Sequence, residues 1–268
     1  DLVAMRAAQA AGEARADQPA AFALREGGPR PSIETSLHAV FRQRIVVHVH
    51  CVNTIAVAIR ADARAVLADR LAAFDWAFVP YVKPGAQLAA RVQAVLAPAT
   101  DVIVLGNHGL IVAAESVAAA EALLGRVVAA LAVQPAVAVP DVAVLAACAG
   151  DGFVPLPPDH SLHGVATHLA RLRMALGGSL YPDHVLFCGV GAVSLELDER
   201  PAAAVARHAA AGMPPPPMVL VPGAGALIRK DASAGALALS RCLGDVLGRV
   251  PEDAVLTYPY FTPAEPIV

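Results

Sequence analysis

Apolar residues in this 268-residue chain recur with two alternating periods, one near 3.6 residues and one near 2. The Ala- and Arg-rich stretch 3–15 predicts a short helix, and Glu-Gly-Gly-Pro-Arg at 26–30 a loop. Glu34, Leu37, His38 and Phe41 fall at i, i+3, i+4 and i+7, predicting a helix over 33–44 with Ser32 as its N-cap. The β-branched run 45–52 predicts a strand, and 62–74 a helix. Residues 78–82 read as a short strand closed by Lys83-Pro84-Gly85, and 86–96 as a helix. Segments 102–105 and 110–113 read as strands joined by Gly106-Asn107-His108-Gly109, with a helix over 116–131.

A Pro-rich, weakly patterned stretch at 134–158 predicts a boundary, giving domains 1–135 and 136–268. Beyond it the pattern predicts a helix over 162–176, a strand over 185–188 and a helix over 202–211. After the prolines of 214–217 come a strand at 218–221 and a long helix at 232–250. The alternation points to a layered α/β fold, and no internal repeat is found.

Composition narrows the function. With 57% hydrophobic residues and a net charge of −3, the chain is not intrinsically disordered and can bury a large core. No basic stripe exists to neutralise a phosphate backbone, so a nucleic-acid partner is not expected. Only Lys83 and Lys230 could form a Schiff base. The cysteines, Cys51, Cys148, Cys188 and Cys242, are far apart and read as small apolar residues in a reducing compartment. No apolar run is long enough to span a bilayer and no signal peptide is visible, so no membrane is expected and a cytoplasmic location is.

Three pieces of sequence carry candidate chemistry. His48 and His50 are two apart in a predicted strand and so share a face, where both can reach one divalent ion. His108 sits in a turn flanked by glycines, which leaves its ring projecting from a loop. Glu34 opens the helix that leads into the His48 strand. Taken singly these are equally an ordinary pair of histidines, a turn histidine and a first-turn acid favoured by the helix dipole. Together they form three neutral nitrogens and a carboxylate, the composition of an open catalytic zinc site. His160, His163 and His168 form a second group whose spacing does not place them on one helical face, and they read as solvated or structural. Neither Gly189-Val190-Gly191 nor the stretch 223–230 has the spacing of a dinucleotide or P-loop motif.

The blocks Pro31-Ser32-Ile33-Glu34-Thr35-Ser36-Leu37-His38, Val47-His48-Val49-His50 and Asn107-His108-Gly109-Leu110 resemble the class II aldolase/adducin family in order and spacing, as does 79–85 between them. Within that family the chain is most similar to the aldolase portion of bifunctional rhamnulose-phosphate aldolase/dehydrogenase proteins, with Tyr181-Pro182-Asp183-His184 and 221–225 similar to their extension. The resemblance implies a three-layer α/β/α sandwich around a mainly antiparallel sheet over 1–135, with a C-terminal α/β extension over 136–268. It implies that His48, His50 and His108 bind a divalent metal, usually Zn2+, and that Glu34 is the catalytic acid/base. The implied activity is retro-aldol cleavage of a small sugar or hydroxy-ketone, phosphorylated or not, in a homo-oligomer of two or four chains. Sugar-phosphate 4-epimerases and the non-catalytic adducins are the family's alternatives. A tyrosine general acid is also implied for some members, for which Tyr81, Tyr181, Tyr258 and Tyr260 are available here.

Overall fold

The computed structural model describes residues 1–25 and 27–259, so Glu26 of the predicted loop and Tyr260 lie outside the described residues. The chain forms two compact units, Asp1–Cys51 with Arg64–Leu131, and Val52–Ala63 with the chain from Ala132 onward.

In the first unit, α1 (Leu2–Ala10) and α2 (Thr35–Ala39) precede β1 (Ile45–Val49). The next helix, α3 (Val52–Ala58), belongs to the second unit. The first resumes with α4 (Ala63–Arg70), β2 (Trp76–Val79), α5 (Ala86–Val95), β3 (Val102–Leu105), β4 (Gly109–Ala114) and α6 (Val117–Ala130). Its sheet runs β1-β4-β3-β2. The β1–β4 and β4–β3 pairs are antiparallel and the β3–β2 pair is parallel. The expected mainly antiparallel sheet is therefore a mixed one, because α5 carries the chain across between β2 and β3 and so returns it in the same direction. Leu37 and Phe41, from the predicted helical stripe, are buried with Ile103, Leu105 and Ile111 of the sheet and Leu88 and Val92 of α5. α1 is tied to the segment around α2 by Arg6, which donates to the Phe41 carbonyl at 2.8 Å, and by Gln9, which donates to that of Ser36 at 2.8 Å.

Several boundaries differ from the sequence reading: the strand expected at 78–82 is Trp76–Val79, the helices expected over 3–15 and 62–74 end at Ala10 and Arg70, and two differences lie next to the candidate site. The helix expected over 33–44 is limited to Thr35–Ala39, because Ser32 holds the Glu34 N–H at 3.2 Å in a local turn and the chain leaves helical geometry to enter the sheet. The strand expected to reach residue 52 ends at Val49, which pairs with Leu110; beyond Leu110 the partner strand turns away at Gly109.

In the second unit the elements after α3 are α7 (Val142–Cys148), β5 (Phe153–Pro155), α8 (His163–Ala166), α9 (Leu169–Leu176), α10 (Pro182–Cys188) and α11 (Pro201–Ala210). The hairpin β6 (Met218–Val221) and β7 (Gly225–Arg229) and the helix α12 (Ala234–Leu247) complete it. Its sheet runs β5-β7-β6, antiparallel throughout. Segment 134–158 is thus partly regular, with Asp141 capping α7. The strand expected at 185–188 is the end of α10, which has Pro182 in its first turn and stops at Gly189 with φ of +85°. A four-residue apolar run cannot by itself separate strand from buried helix. The core gathers Ile55 and Ile59 with Leu162, Val165, Leu220, Leu243 and Leu247. His160 and His163 are buried in this unit, not solvated. No helix among the described residues is long and apolar enough to cross a membrane.

The buried residue His184 ties this unit's stability to pH. Its Nδ1 accepts from the Leu180 N–H, its Nε2 has no partner among the described residues, and burial lowers its pKa to about 4. The unfolded chain, with an ordinary histidine, takes up the proton first, so stability is lost as pH falls from about 6.5 to 4. Urea unfolding should show wild-type protein losing about 3 kcal/mol more over that range than His184→Gln. Parallel profiles for the two proteins would show that the imidazole is not held neutral.

Candidate metal centre

Strand pairing builds the centre. His48 is the fourth residue of β1 and lies opposite Ile111 of β4, while His50 follows one residue after the strand ends. His108 occupies the turn that joins β3 to β4, so the β1–β4 ladder delivers all three rings to one end of the sheet. In that turn Asn107 takes φ of +51°, the left-handed conformation that Asn tolerates better than most residues, and the His108 N–H closes on the Leu105 carbonyl at 3.2 Å. Glu34 arrives from the start of α2.

The four side chains converge. Their ligand atoms all lie within 4.8 Å of one another. Glu34 Oε1 is 3.1 Å from His108 Nε2 and 3.5 Å from His48 Nε2, and His48 Nε2 is 3.1 Å from His50 Nε2. Each pair of rings among His48, His50 and His108 has its centroids 5.0 Å apart. A tetrahedral ion with bonds of about 2.0–2.1 Å needs ligand atoms roughly 3.3 Å apart, so this donor set fits one divalent ion without rebuilding the backbone. Ring orientation agrees with that use: His48 Nδ1 sits 3.2 Å from the Leu110 carbonyl, an acceptor only, so Nδ1 carries a hydrogen and Nε2 is the nitrogen left to face the cluster.

Gly109 is required by contact. A Cβ there would stand 2.7 Å from the Val49 carbonyl oxygen and 2.9 Å from the His50 ring. The electrostatics follow from burial and charge together. Burial raises the Glu34 carboxyl, but hydrogen bonds and charge from His108 and His48 outweigh it and hold the group well below the ordinary carboxylate range. Burial lowers His108, with the hydrogen bond to Glu34 opposing it. Burial also lowers His38, and the neighbouring His48 adds to the effect.

The structure thus places Glu34, His48, His50 and His108 together, while His160 and His163 lie in the other unit. Two contributors escaped sequence reading. The Leu110 carbonyl could be recognised only once the β1–β4 register was known. His38 sits one helical turn beyond Glu34, edge-on to His48 with centroids 6.4 Å apart, and its spacing was the available signal. Among the tyrosines, Tyr181 is fully buried with its hydroxyl on Cys242 Sγ, and the Tyr258 hydroxyl donates to the Met174 carbonyl.

Residues 1–134 match the model of the class II aldolase and adducin N-terminal domain family, and with them the whole of this cluster. The chain belongs to the class II aldolase/adducin family. Among solved structures it is similar to the N-terminal class II aldolase domain of a conserved protein from Thermoplasma acidophilum, with 27% identity and a TM-score of 0.38 over 40% of this chain and 49% of that one. The chain therefore spans about half the length of that structure. No curated protein sequence matches it.

Because a Cβ at Gly109 would crowd both the His50 and His48 rings, Gly109→Ala should weaken divalent-ion binding about tenfold or more in a protein that still folds. Chelator-competition titration measures this, with Gly125→Ala, whose Cβ would meet nothing within 4 Å, as the neutral control. Equal affinity in both variants would mean that ring placement does not depend on the glycine.

Proposed function

We propose that this chain is a metal-dependent aldolase-like lyase that cleaves a carbon–carbon bond of a small sugar or hydroxy-ketone, phosphorylated or not, by reversible retro-aldol chemistry. His48, His50 and His108 would hold the divalent ion, Zn2+ by the chemistry of three imidazoles, and Glu34 would be the acid/base. Supporting this are the convergence of the four groups and the family to which the chain belongs. Bound there, the ion supplies Lewis acidity toward charge that develops on a carbonyl oxygen as the bond breaks.

The chain's own residues account for the rest. The Leu110 carbonyl holds the His48 ring in its tautomer and orientation. Glu34 Oε1 lies within reach of two rings and is half-buried, so a proton placed on it is sheltered from bulk water. Contact with those rings holds the carboxyl below the ordinary carboxylate range, and it lies beside the nitrogens that would hold the ion, where an acid/base is needed.

The finer assignments belong to the same proposal: rhamnulose-phosphate aldolase-like specificity, the three-layer sandwich, residues 1–135 as the aldolase domain with 136–268 as an extension, and a cytoplasmic dimer or tetramer. A scaffold without catalysis has no physical need for three converging imidazoles and a carboxylate, which weighs against an adducin-like role.

Replacing His48 by Ala should abolish stoichiometric zinc, measured by plasma mass spectrometry on the purified chain. Glu34→Gln should keep the zinc and lose 10²- to 10⁴-fold in turnover, the usual scale of general acid–base catalysis. A coupled assay that traps released aldehyde from a panel of ketoses separates cleavage from epimerisation. Stoichiometric zinc in His48→Ala would sink the proposal.

A further inference from the structure

The second unit repeats the first unit's hairpin and the elements around it. Both hairpins pair four residues on each side around a three-residue turn: Val102 with Val112 through Leu105 with Gly109, and Met218 with Ile228 through Val221 with Gly225. Each is followed by a 14-residue helix whose serine cap, Ser116 or Ser233, accepts from the N–H three residues on. A 10-residue helix precedes each hairpin, α5 in one unit and α11 in the other. The parallel neighbour of β3 is β2; the parallel neighbour of β6 is the chain at Ser194, bridged to Leu220. On the opposite side β1 runs antiparallel to β4, and β5 antiparallel to β7. Strand order, direction and register all agree.

This register maps the metal cluster on to the second unit. His48 faces Ile111, and the residue facing the equivalent Leu227 is Pro155. His50, two residues on, corresponds to Pro157. His108, last in its turn, corresponds to Ala224. Glu34 precedes His48 by the same interval as Asp141 precedes Pro155, and both acids sit at the N-cap of a helix. The contact between those positions survives in altered form: where Glu34 meets the His108 ring, the Asp141 N–H donates to the Ala224 carbonyl at 2.9 Å. The Asp141 carboxylate itself is turned to the Val144 N–H at 3.0 Å.

An imidazole still covers the equivalent glycine. Gly109 lies against His48 and His50; Gly225 lies against His163. The His163 ring is fully buried and committed at both nitrogens, with Nδ1 accepting from the Ala226 N–H at 3.1 Å and Nε2 donating to the Pro157 carbonyl at 3.0 Å. No lone pair remains for an ion.

We propose that the second unit is a second copy of the first unit's fold in which the metal centre has been replaced by a hydrogen-bonded histidine plug, so that this unit holds no ion. Proline at two ligand positions and alanine at the third remove every nitrogen donor, and His163 supplies the polar contacts that the backbone around them needs.

Two experiments on the full chain test this. Pro155→His, Pro157→His and Ala224→His together, with His163→Ala to clear the space, should raise bound zinc by about one ion per chain over the parent. An unchanged zinc content in a protein with the parent's circular dichroism overturns the register equivalence. The second arm leaves this unit untouched: His48→Ala, His50→Ala and His108→Ala combined should reduce zinc retained after gel filtration to background. Zinc retained by that variant overturns the proposal. A wild-type chain without zinc would count against the lyase reading alone, because the gain in the first arm is measured relative to the parent.

Discussion

The antiparallel ladder between β1 and β4 is the constraint on which the rest of the molecule's chemistry depends. It fixes His48 opposite Ile111, sets the Leu110 carbonyl beneath the His48 ring, and ends where the β3–β4 turn presents His108. A slip of one residue would turn His48 to the other face of the sheet and bring Val47 or Val49 to the turn instead. Burial of the sheet opposes such a slip, since every residue of β3 and nearly all of β4 lies away from water.

Given that ladder, the remaining features are responses to crowding and charge. Three rings and a carboxylate meet in a space in which one extra methyl at Gly109 would strike both backbone and imidazole. Desolvation disfavours charge on Glu34 and on His108, yet the rings beside Glu34 hold its carboxyl below the ordinary carboxylate range. A site of that composition, poor in neutralising charge, is suited to a cation.

In the proposed equivalence the same ladder persists in the second unit with other residues on it, so the fold itself does not depend on the centre. Gly109 and Gly225 hold corresponding places because an imidazole packs against each, and Ser116 and Ser233 do so because helix capping asks for serine. Elsewhere the demand is only for a β-branched or aliphatic side chain, so Val-Ile-Val-Leu and Met-Val-Leu-Val serve equally. That indifference is why no repeat can be seen in the residues while pairing and order make it plain.

Local pattern by itself determined β3, β6 and most helices, since the periodicity of apolar residues and the capping serines act over a few residues. It also determined the four residue types needed for a metal centre, and the order in which they occur. Only the tertiary structure decided that α10 is helical, that β1 stops at Val49, and that α3 joins the later part of the chain. Those outcomes turn on which strand or helix a segment finds as its neighbour. Convergence of Glu34, His48, His50 and His108 belongs to the same class, because their separation of tens of residues is closed by strand register and burial, quantities to which no local pattern is sensitive.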